Sequence, residues 1–576
     1  MAKQSDIPHI PLDVQNALGD LHPLQKILLF RRGITTYEAA QAFLEPSYEH
    51  HVHDPFLLPD IDQAVARICT ALERNEKIAL YADFDADGIP GAVILHDIFK
   101  KLTHENLVIY IPHRHEEGYG VHMPALKQLH KDGVSLIITI DVGITYASEI
   151  AWAQENGMDV IVTDHHEPQD IIPPAHAVIN PKLNAYPDPM ICGAAVAWKL
   201  GCALIATLRT NNDTRVQDIP EGWEKWLLDM VGIATISDLV PLIHENRALA
   251  HYGLHVLRKN KRPSLRALFQ ELRLGTQTLT EEDIAFSVTP RLNAASRMAH
   301  PRDAFAFLIA ENREIAHMHV THLGTLNDAR KKLVASIVKK AHAKLRARND
   351  LPPIIVIGDP NWNTGVAGLV ATKIAEHYER PAFVWSKEGD TIKGSCRGYN
   401  GISVVELMEH ATEHTFLQYG GHSGAGGFSV DLEKVHTLEQ SLTASYESIY
   451  PNGFDGEIVA GHHIDTHLTL DAVTMETYRI IESCAPYGMA NPKPTFLFEH
   501  ITIDSVRMFG KTKEHLEIIV RDDTHPKGVK AIAFYAHTET FTETVLEGRT
   551  CSLVAQFDYS IFRGKSELRL KIVDIV

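Results

Sequence analysis

Residues 78–88 read IALYADFDADG, a short apolar run that ends in three aspartates, Asp83, Asp85 and Asp87, spaced two residues apart. Further short runs rich in isoleucine and valine follow, at residues 107–111, 135–140 and 160–163. Helical patterns accompany them, at residues 61–72 and 146–156. This alternation predicts an α/β fold with a parallel sheet and helices on both faces. Ligands bind such sheets beyond the carboxyl ends of the strands, where this chain carries its acids and histidines.

The bulk composition indicates a multidomain protein of the cytoplasm. The chain has 576 residues, whereas a single core stops growing at about 250–300 residues. No apolar run reaches the roughly 18–20 residues of a membrane span, and the first residues lack the basic and apolar segments of a secretion signal. The six cysteines are scattered without a C-x-x-C pair, which fits a reducing compartment. We therefore expect a cytoplasmic protein without a membrane partner.

The charge distribution leaves nucleic-acid binding open. The net charge of −18 argues against it, because nucleic-acid-binding proteins usually carry a basic surface. However, only the binding groove must be basic, and bound cations offset carboxylates gathered at a metal site. Residues 330–348 contain eight lysines and arginines and no acid. This helical stretch is either a solvated face or a positive wall beside a nucleic-acid channel.

Later segments predict further domains. A long helical stretch near residues 311–348 precedes a second α/β unit at 354–450, which contains a glycine-dense loop at 419–428. Five predicted strands then suggest a small barrel of the OB type, at residues 501–506, 515–520, 529–534, 551–557 and 567–573. The expected divisions are an N-terminal segment, a parallel-sheet domain, a helical connector, a second α/β domain and an OB-type domain, at residues 1–50, 51–270, 271–349, 350–455 and 459–576.

The aspartates of 83–88 predict a metal site. Three carboxylates at one strand end repel one another, and a divalent cation removes that cost because hard cations prefer carboxylate oxygens. The D-x-D-x-D-G pattern also matches part of an EF-hand calcium loop. The twelfth position of such a loop requires glutamate and is Ile94 here, and the preceding strand argues against a helix-loop-helix.

Other acids and histidines follow later predicted elements. Asp141 ends the 137–140 run, Asp164, His165 and His166 follow 161–163, and Asp238 lies in 236–241. Each alone also fits a cap or turn residue. Together, near successive predicted strand ends, they supply the carboxylates and imidazoles of a two-metal phosphoesterase, which holds its ions about 3.5–4 Å apart. Mixed carboxylate and imidazole ligands favour manganese or magnesium over a structural zinc.

The order of these motifs resembles the DHH phosphoesterase superfamily. Its four motifs are D-F-D-A-D-G, T-I-D, D-H-H and S-D-L-V-P-L, at 83–88, 139–141, 164–166 and 237–242. Further segments are similar to RecJ exonucleases within it, at 112–120, 290–297, 365–368 and 393–397, and the GGHSGAGG segment at 420–427 resembles the DHH-associated domain. The resemblance implies a DHH domain, a helical connector, a DHH-associated α/β domain and a C-terminal OB domain.

The resemblance also implies residue roles by position. The implied metal ligands are Asp83, Asp85, Asp87, Asp141, His165 and Asp238. Asp141 and His166 are the implied catalytic residues, with His166 near the scissile phosphate. The implied contacts to phosphates or the strand end are Arg114, Arg291, Asn293, Arg297, Arg397, Gly420, Gly421 and His422. Arginine binds phosphate in a bidentate fork, although each arginine also fits a structural ion pair.

The chain departs from the RecJ pattern at four motifs. Pro90 and Gly91 stand where Thr-Ser or Thr-Gly is usual, and Ser296 replaces the glycine of N-A-A-G-R. Asn363 replaces the histidine of W-H-x-G-V. Residues 394–398 read GSCRG instead of G-S-G-R-S, so the last position is Gly398. None of these changes removes an implied metal ligand.

The resemblance implies a 5′-to-3′ exonuclease that degrades single-stranded DNA to mononucleotides in repair and recombination. It implies two Mn²⁺ or Mg²⁺ ions per site, and a single-strand-binding protein and a helicase as further partners. One alternative is an oligoribonuclease or small-phosphoester hydrolase of the same superfamily, which the tail and the basic helix disfavour. The other is an inactive scaffold subunit of a replicative helicase. The intact set of acids argues against it, because buried acids are costly without a metal.

Overall fold

The computed structural model describes residues 9–451, 463–562 and 565–576. The chain divides into two compact units. The first comprises His53–Val240 and Tyr252–Ile458, and the second comprises the described parts of Met1–Val52, Pro241–His251 and Val459–Val576. The first eight residues of the predicted N-terminal segment and the predicted boundary at 455–459 lie outside the described residues. Over the described ranges, no helix is long and apolar enough to cross a membrane.

A five-stranded parallel sheet forms the start of the first unit. Its strands are β1 Ile78–Ala82, β2 Leu107–Tyr110, β3 Leu136–Ile140, β4 Asp159–Thr163 and β5 Ala177–Ile179. The spatial order is β2-β1-β3-β4-β5, and every pair is parallel. The four predicted strands are confirmed. From β1 the chain goes to β2 on one side and then crosses to β3 on the other side of β1. The strand order therefore reverses between β1 and β3, and α/β sheets bind their ligands at such a point.

Helices cover both faces of this sheet, which is why β1 and β3 are buried along their whole length. The helices of this part are Ile61–Glu73, Gly88–Lys101, Met123–Lys131, Ala147–Glu155, Gly193–Thr210 and Leu228–Ser237. The departure at Pro90 and Gly91 fits this packing. Pro90 lies in the first turn of the Gly88–Lys101 helix. Backbone N–H groups of a first turn have no acceptor within the helix, so proline costs no hydrogen bond there. A Cβ on Gly91 would lie 2.6 Å from Ile140 Cγ2.

A run of helices leads from this sheet to the second α/β part. They are His244–Lys259, Pro263–Leu272, the π-helix Ile284–Val288, Thr289–Met298, Arg302–Leu308 and Arg313–Arg346. The 34-residue Arg313–Arg346 helix confirms the predicted helical stretch, and the Asn312 side chain caps it by accepting the Ile315 N–H. Its buried stripe begins with Ala316, Val320 and Leu323, the spacing of one helix face.

The second α/β part contains a mixed sheet. Its strands are β6 Ile355–Gly358, β7 Ala382–Glu388, β8 Thr391–Arg397, β9 Gln418–His422 and β10 Ala425–Asp431, in the order β6-β7-β8-β10-β9. Its helices are Ala367–Tyr378, Val404–Glu409 and Leu438–Ile449. The prediction of a loop at 419–428 was wrong, since this segment is the β9–β10 hairpin. Glycine permits the close approach of β9 to β10, because a Cβ on Gly421 would lie 2.3 Å from the Ala425 carbonyl oxygen.

The second unit contains the predicted barrel. Its strands are β11 Thr466–His467, β12 Phe496–Phe509, β13 His515–Arg521, β14 Val529–Ala533, β15 Thr550–Phe562 and β16 Lys565–Ile575. Pairing of β12 with β15 closes the barrel. The five predicted strands are confirmed, and most are longer than predicted. The helices of this unit are Leu12–Ala17, Pro23–Arg31, Tyr37–Leu44, Tyr48–His51 and Met475–Glu482.

The N-terminal helices share one hydrophobic core with the barrel. Leu28, Leu29 and Phe43 belong to the same buried cluster as Phe496 and Phe498. Arg247 links the N-terminal helices to the C-terminal part of this unit. Its buried guanidinium donates to the carbonyl oxygens of Phe43, Cys484, Ala485 and Pro486. It also stacks 3.6 Å from the Phe43 ring centroid. The predicted N-terminal segment and OB-type domain therefore form one folding unit.

Candidate active site

The site lies at the carboxyl ends of β1, β3 and β4. Asp83 directly follows β1, and Asp87 precedes the Gly88–Lys101 helix. Asp141 directly follows β3 with a φ of 61°, a conformation that turns the chain sharply as the strand ends. Asp238 differs from its predicted place near a strand end. It is the C-terminal cap residue of the Leu228–Ser237 helix. The hydrophobic run before it forms this buried helix instead of a strand.

The predicted metal ligands, together with His166, form three overlapping groups. They are Asp83 with Asp85 and Asp141, Asp87 with His165 and Asp238, and Asp141 with His165 and His166. The potential ligand atoms within each group lie within 4.8 Å of one another. His165 Nε2 is central, at 3.2 Å from Asp141 Oδ1, 3.6 Å from Asp238 Oδ2 and 3.7 Å from Asp87 Oδ2. All six predicted ligands are therefore brought together.

The electrostatics of this cluster favour a bound cation. Burial and the neighbouring Asp85 raise the pKa of Asp83 well above its usual range and that of Asp87 to about 7. Burial and the Asp87 charge likewise raise the pKa values of Asp141 and Asp238. In the described structure, Asp83 Oδ1 and Asp141 Oδ1 are buried and accept no hydrogen bond. Burying a carboxylate oxygen without a hydrogen-bond donor is costly, and a bound hard divalent cation would remove that cost.

The two adjacent histidines have different environments. Burial and the neighbouring His166 charge lower the pKa of His165 to about 3, so this imidazole is neutral and able to bind a metal. Burial disfavours the charged form of His166, but the hydrogen bond and charge of Asp164 outweigh it and raise the pKa of His166 to about 9. His166 Nδ1 lies 2.8 Å from Asp164 Oδ1, which leaves Nε2 for another partner.

Four residues near the histidines were missed as site residues. Asp164 belongs to the D-H-H motif, but no role is predicted for it from the sequence, and it also accepts the Ile144, His165 and His166 N–H groups. The Tyr119 hydroxyl lies 3.2 Å from His166 Nδ1. Asn180 donates to the His166 carbonyl oxygen, and the charge of Lys182 acts on His165, Asp238 and His422. Tyr119 and Asp164 lie in recognised motifs, whereas no sequence signal marks Asn180 or Lys182.

Three of the predicted arginines form a second cluster. Burial lowers the pKa values of Arg114, Arg297 and Arg397. For Arg297 the value falls to about 9, and the charges of Arg114, Arg330 and Arg397 contribute to the shift. Throughout the described residues these three guanidiniums form no ion pair. The charges of Asp83 and Asp85 oppose the shift at Arg114 without forming an ion pair with it. A group of partly buried cations without ion pairs is expected where an anion binds.

The remaining predicted contacts are more dispersed. Arg291 donates to the Ser287 carbonyl oxygen, and its charge acts on Arg330 rather than on the other three arginines. Asn293 Oδ1 is buried and, in the chain as described, accepts no hydrogen bond. On the β9–β10 hairpin, Gly420, Gly421 and His422 are exposed. The charge of His166 acts on His422, so the hairpin lies within electrostatic range of the metal-ligand cluster.

The other departures from the motif pattern are accommodated locally. Ser296 is buried and its hydroxyl donates to the Asn293 carbonyl oxygen. Cys396 is buried under β10, where a Cβ on Gly426 would lie 3.1 Å from its sulfur. Gly398 donates its N–H to the Gly424 carbonyl oxygen. Asn363 precedes the Thr364–Val366 turn, and Arg297 donates to the Gly365 carbonyl oxygen in that turn.

Family models match three segments of the chain. The DHH family N-terminal domain matches residues 77–235, the DHHA1 domain matches 351–447 and the RecJ OB domain matches 464–574. These segments contain the parallel sheet, the mixed sheet and the barrel. Together they match the three-part architecture expected from the motifs.

Similar proteins cover nearly the whole chain. The chain is 32% identical over 571 residues to the single-stranded-DNA-specific exonuclease RecJ of Escherichia coli, covering 97% of this chain and 96% of that protein. It is 31% identical to RecJ of Bacillus subtilis, covering 97% of this chain and 69% of that protein. The crystal structure of RecJ in complex with Mn²⁺ from Thermus thermophilus matches with a TM-score of 0.80 and 27% identity, covering 98% and 77% of the two chains. The chain therefore belongs to the RecJ family of single-stranded-DNA-specific exonucleases.

Proposed function

We propose that this chain is a metal-dependent exonuclease that degrades single-stranded DNA from its 5′ end to mononucleotides, in DNA repair and recombination. The observation that carries the proposal is the cluster of four aspartates with raised pKa values, Asp83, Asp87, Asp141 and Asp238, of which the last three surround a neutral His165. Similarity to RecJ proteins named as single-stranded-DNA-specific exonucleases supports the substrate. It also favours this function over the oligoribonuclease and scaffold alternatives.

The overlapping ligand groups support two metal positions. We assign Asp83, Asp85 and Asp141 to one ion and Asp87, His165 and Asp238 to the other, because these two groups divide the six predicted ligands evenly. Solved RecJ structures hold Mn²⁺ or Mg²⁺, and the oxygen-rich donor set here suits either ion. Two such ions activate a water and stabilise the leaving oxygen of a phosphodiester.

The residues around the metals are assigned to the substrate. Asp164 fixes the orientation of the His166 ring through Nδ1, so that Nε2 is free to donate to the scissile phosphate. Asp141 lies closest of the acids to His165 and is assigned a catalytic role between the ions. The exposed Gly420, Gly421 and His422 are assigned to the strand on the hairpin side, where the glycines permit close approach of the backbone.

The arginine cluster supports action from a strand end. A terminal phosphate carries more charge than an internal phosphodiester, and Arg114, Arg297 and Arg397, which form no ion pair among the described residues, supply guanidinium donors for it. Arg291 and Asn293 are assigned to the following phosphates. The 5′ polarity rests on the resemblance to RecJ. A single-strand-binding protein and a helicase are proposed partners, and the six free cysteines support a cytoplasmic location.

The test of the proposal is hydrolysis of a 30-nucleotide DNA strand with Mn²⁺, labelled at either the 5′ or the 3′ end. A 5′ label is expected to appear at once as a mononucleotide, whereas a 3′ label passes through progressively shorter strands. The same strand in RNA is expected to be degraded much more slowly. Release from the 3′ end, equal rates on RNA, or absence of hydrolysis would each contradict the proposal.

A further inference from the structure

A lysine without an assigned role lies beside the metal-ligand cluster. Lys182 is in the loop after β5, and its side chain is only 14% exposed. Its positive charge acts on the proposed metal ligands His165 and Asp238, and on His422 of the β9–β10 hairpin. The ammonium therefore lies within electrostatic range of both the metal-ligand cluster and the hairpin.

A buried amide fixes the position of this lysine. Asn180 directly follows β5 and is fully buried. Its Oδ1 accepts the Lys182 N–H at 2.9 Å, and its Nδ2 donates to the His166 carbonyl oxygen at 3.0 Å. Asn180 thus holds the loop after β5 against the loop after β4. A side chain that is supported in this way projects from a defined place, as a substrate contact requires.

The ion pair of Lys182 does not by itself explain this support. Lys182 Nζ lies 2.9 Å from Glu167 Oε1, but the Glu167 side chain is 71% exposed. Because an exposed carboxylate is already solvated, a pair with it contributes little to stability. The charge of Glu167 also acts on His422, so the pair lies on the hairpin side of the site. Glu167 is therefore an anion that a phosphate can replace.

The charge balance of the site calls for a further cation. The three ligand groups contain five aspartates, whose negative charge exceeds the charge of two divalent cations by one. The charge of His166 is offset by that of its partner Asp164. A phosphodiester would therefore approach a centre of net negative charge, and a fixed ammonium nearby reduces the repulsion.

The arginine cluster and Lys182 belong to different ends of the metal-ligand cluster. The charges of Asp83 and Asp85 act on Arg114, whereas the charge of Lys182 acts on Asp238. Asp83 and Asp238 lie in different ligand groups. A DNA strand with its terminal phosphate at the arginines and its next phosphate at the ligand cluster would bring its third phosphate toward Lys182.

We infer that Lys182 binds the phosphate that follows the scissile one, on the part of the DNA strand that remains after cleavage, and that Glu167 holds the ammonium in place until the strand arrives. The inference rests on the proposed function for the polarity and the scissile position. A phosphate that does not react is bound equally in the ground state and the transition state. Its contact therefore lowers KM and leaves kcat nearly unchanged.

The test compares two DNA tetranucleotides with a 5′ phosphate. One is unmodified, and the other carries an uncharged methylphosphonate between its second and third nucleotides. Release of the first nucleotide is measured with Mn²⁺. For the wild type, the methylphosphonate is expected to raise KM about ten-fold, since a charge-assisted hydrogen bond is lost. Lys182→Met is expected to raise KM for the unmodified strand by a similar factor and to make the enzyme insensitive to the methylphosphonate.

Two further variants show whether the charge of the lysine is responsible. Lys182→Arg keeps the charge and is expected to retain the preference for the unmodified strand. Lys373→Met is the matched control, at an exposed lysine of the same unit that pairs with Glu376 at 3.1 Å, and it is expected to change neither KM nor the preference.

Glu167→Gln gives a result of opposite sign. Without the competing carboxylate, Lys182 is free for the phosphate, so KM for the unmodified strand is expected to fall by about two- to five-fold, the strength of an exposed ion pair. A purely structural pair predicts instead that Glu167→Gln and Lys182→Met lower the melting temperature alike and change KM in the same direction. That result would overturn the inference.

Binding of the two tetranucleotides in EDTA, measured by fluorescence anisotropy, distinguishes this inference from the proposed function. The wild type is expected to bind the unmodified strand more tightly than the methylphosphonate strand, and Lys182→Met is expected to bind both equally. If the wild type shows this preference but hydrolyses neither strand, the proposed function fails and the phosphate contact stands. If the wild type has no preference in binding or in KM, or if Lys182→Met keeps the wild-type preference, the inference fails.

Discussion

Two adjacent histidines, His165 and His166, are expected to carry different tasks in the active site. His165 is neutral and lies among three carboxylates, whereas Asp164 holds His166 in its charged form. We predict that His165→Ala and Asp141→Ala each reduce hydrolysis by more than about 100-fold, since loss of a ligand costs more than loss of the groups that orient it. Circular dichroism and strand binding are expected to remain close to wild type. Near-normal turnover of either variant at saturating Mn²⁺ would contradict the ligand assignment.

Substitution of Asp164 tests whether its hydrogen bond to His166 orients the imidazole for catalysis. Asp164→Asn keeps the size of the side chain but removes the charge that orients the imidazole. We predict a loss of activity of about 10–100-fold in kcat, with little change in KM, because Asp164 is buried behind His166 rather than facing the strand. Asp159→Asn, at a partly exposed residue on β4, is the matched control. A loss confined to KM would show that Asp164 acts on substrate binding instead.

The clustered carboxylates make stability depend on pH and metal. The folded-state pKa of Asp87 is raised to about 7, and those of Asp83 and Asp141 are raised as well. The folded protein therefore binds more protons than the unfolded chain, so the metal-free protein loses stability as the pH rises from about 4 through 7. We predict that Mn²⁺ raises the melting temperature more at pH 8 than at pH 5.5, in calorimetry. An equal increase at both pH values would argue against a metal bound by these acids.

At the scale of elements, the basic stretch of the Arg313–Arg346 helix is heterogeneous. Lys344 pairs with Asp359, and Arg348, just beyond the helix, pairs with Glu439. Arg330 is partly buried beside the arginine cluster, whereas its neighbour Lys331 is exposed. The stretch is therefore neither a uniform wall nor only a solvated face.

We predict that Arg330→Ala weakens binding of a short single strand about ten-fold, since arginine–phosphate contacts are strong charge-assisted hydrogen bonds. The log–log salt slope should fall in magnitude by about 0.7. Lys331→Ala, one residue away, is expected to change neither quantity. Equal effects of the two substitutions in a salt titration would favour a diffuse positive face over a defined contact.

The sequence predicted the elements whose hydrophobic pattern is strong. β1, β3 and the barrel strands have apolar runs of ordinary strand length, so their positions were correct. β5 has only three residues, Ala177–Ile179, which is too short to stand out. The Gln418–His422 strand is exposed along its whole length and carries no alternating pattern, so its glycines indicated a loop. Asp238 was assigned to a strand end because its run, buried on all sides, lacks helical periodicity.

Motif order selected the candidate ligands without any geometry, and the structure brings them together; their roles stay predictions. The six acids and histidines lie together, and so do Arg114, Arg297 and Arg397. Lys182 and Asn180 were not found, since they enter the site only through the packing of the loop after β5. Contacts that depend on tertiary structure leave no periodic signal in the chain.

For the whole molecule, the shared core of the second unit changes what a truncation can test. Removing the barrel would expose Leu28, Leu29 and Phe43 of the N-terminal helices, so a chain that ends before the barrel is expected to aggregate. Point variants in the full chain are therefore the better tests of the barrel.

Arg247 tests this shared core directly. Arg247→Met retains apolar bulk but removes a donor from four carbonyl oxygens. Those of Cys484 and Pro486 still accept from Asn491, whereas those of Phe43 and Ala485 lose their side-chain donor. We predict a loss of about 3 kcal/mol or more in the stability of the second unit, since each unsatisfied buried group costs about 1–3 kcal/mol. Calorimetry should show an earlier first transition, while tetranucleotide hydrolysis at low temperature persists. Unchanged melting would show that Arg247 does not fasten the unit.

The central claim is that six ligands hold two catalytic cations at the ends of β1, β3 and β4. Anomalous diffraction from crystals of the protein grown with Mn²⁺ tests it most directly. The account predicts two manganese peaks about 3.5–4 Å apart, one beside Asp83, Asp85 and Asp141 and the other beside Asp87, His165 and Asp238. A single peak, or peaks away from these side chains at saturating Mn²⁺, would contradict the two-metal site.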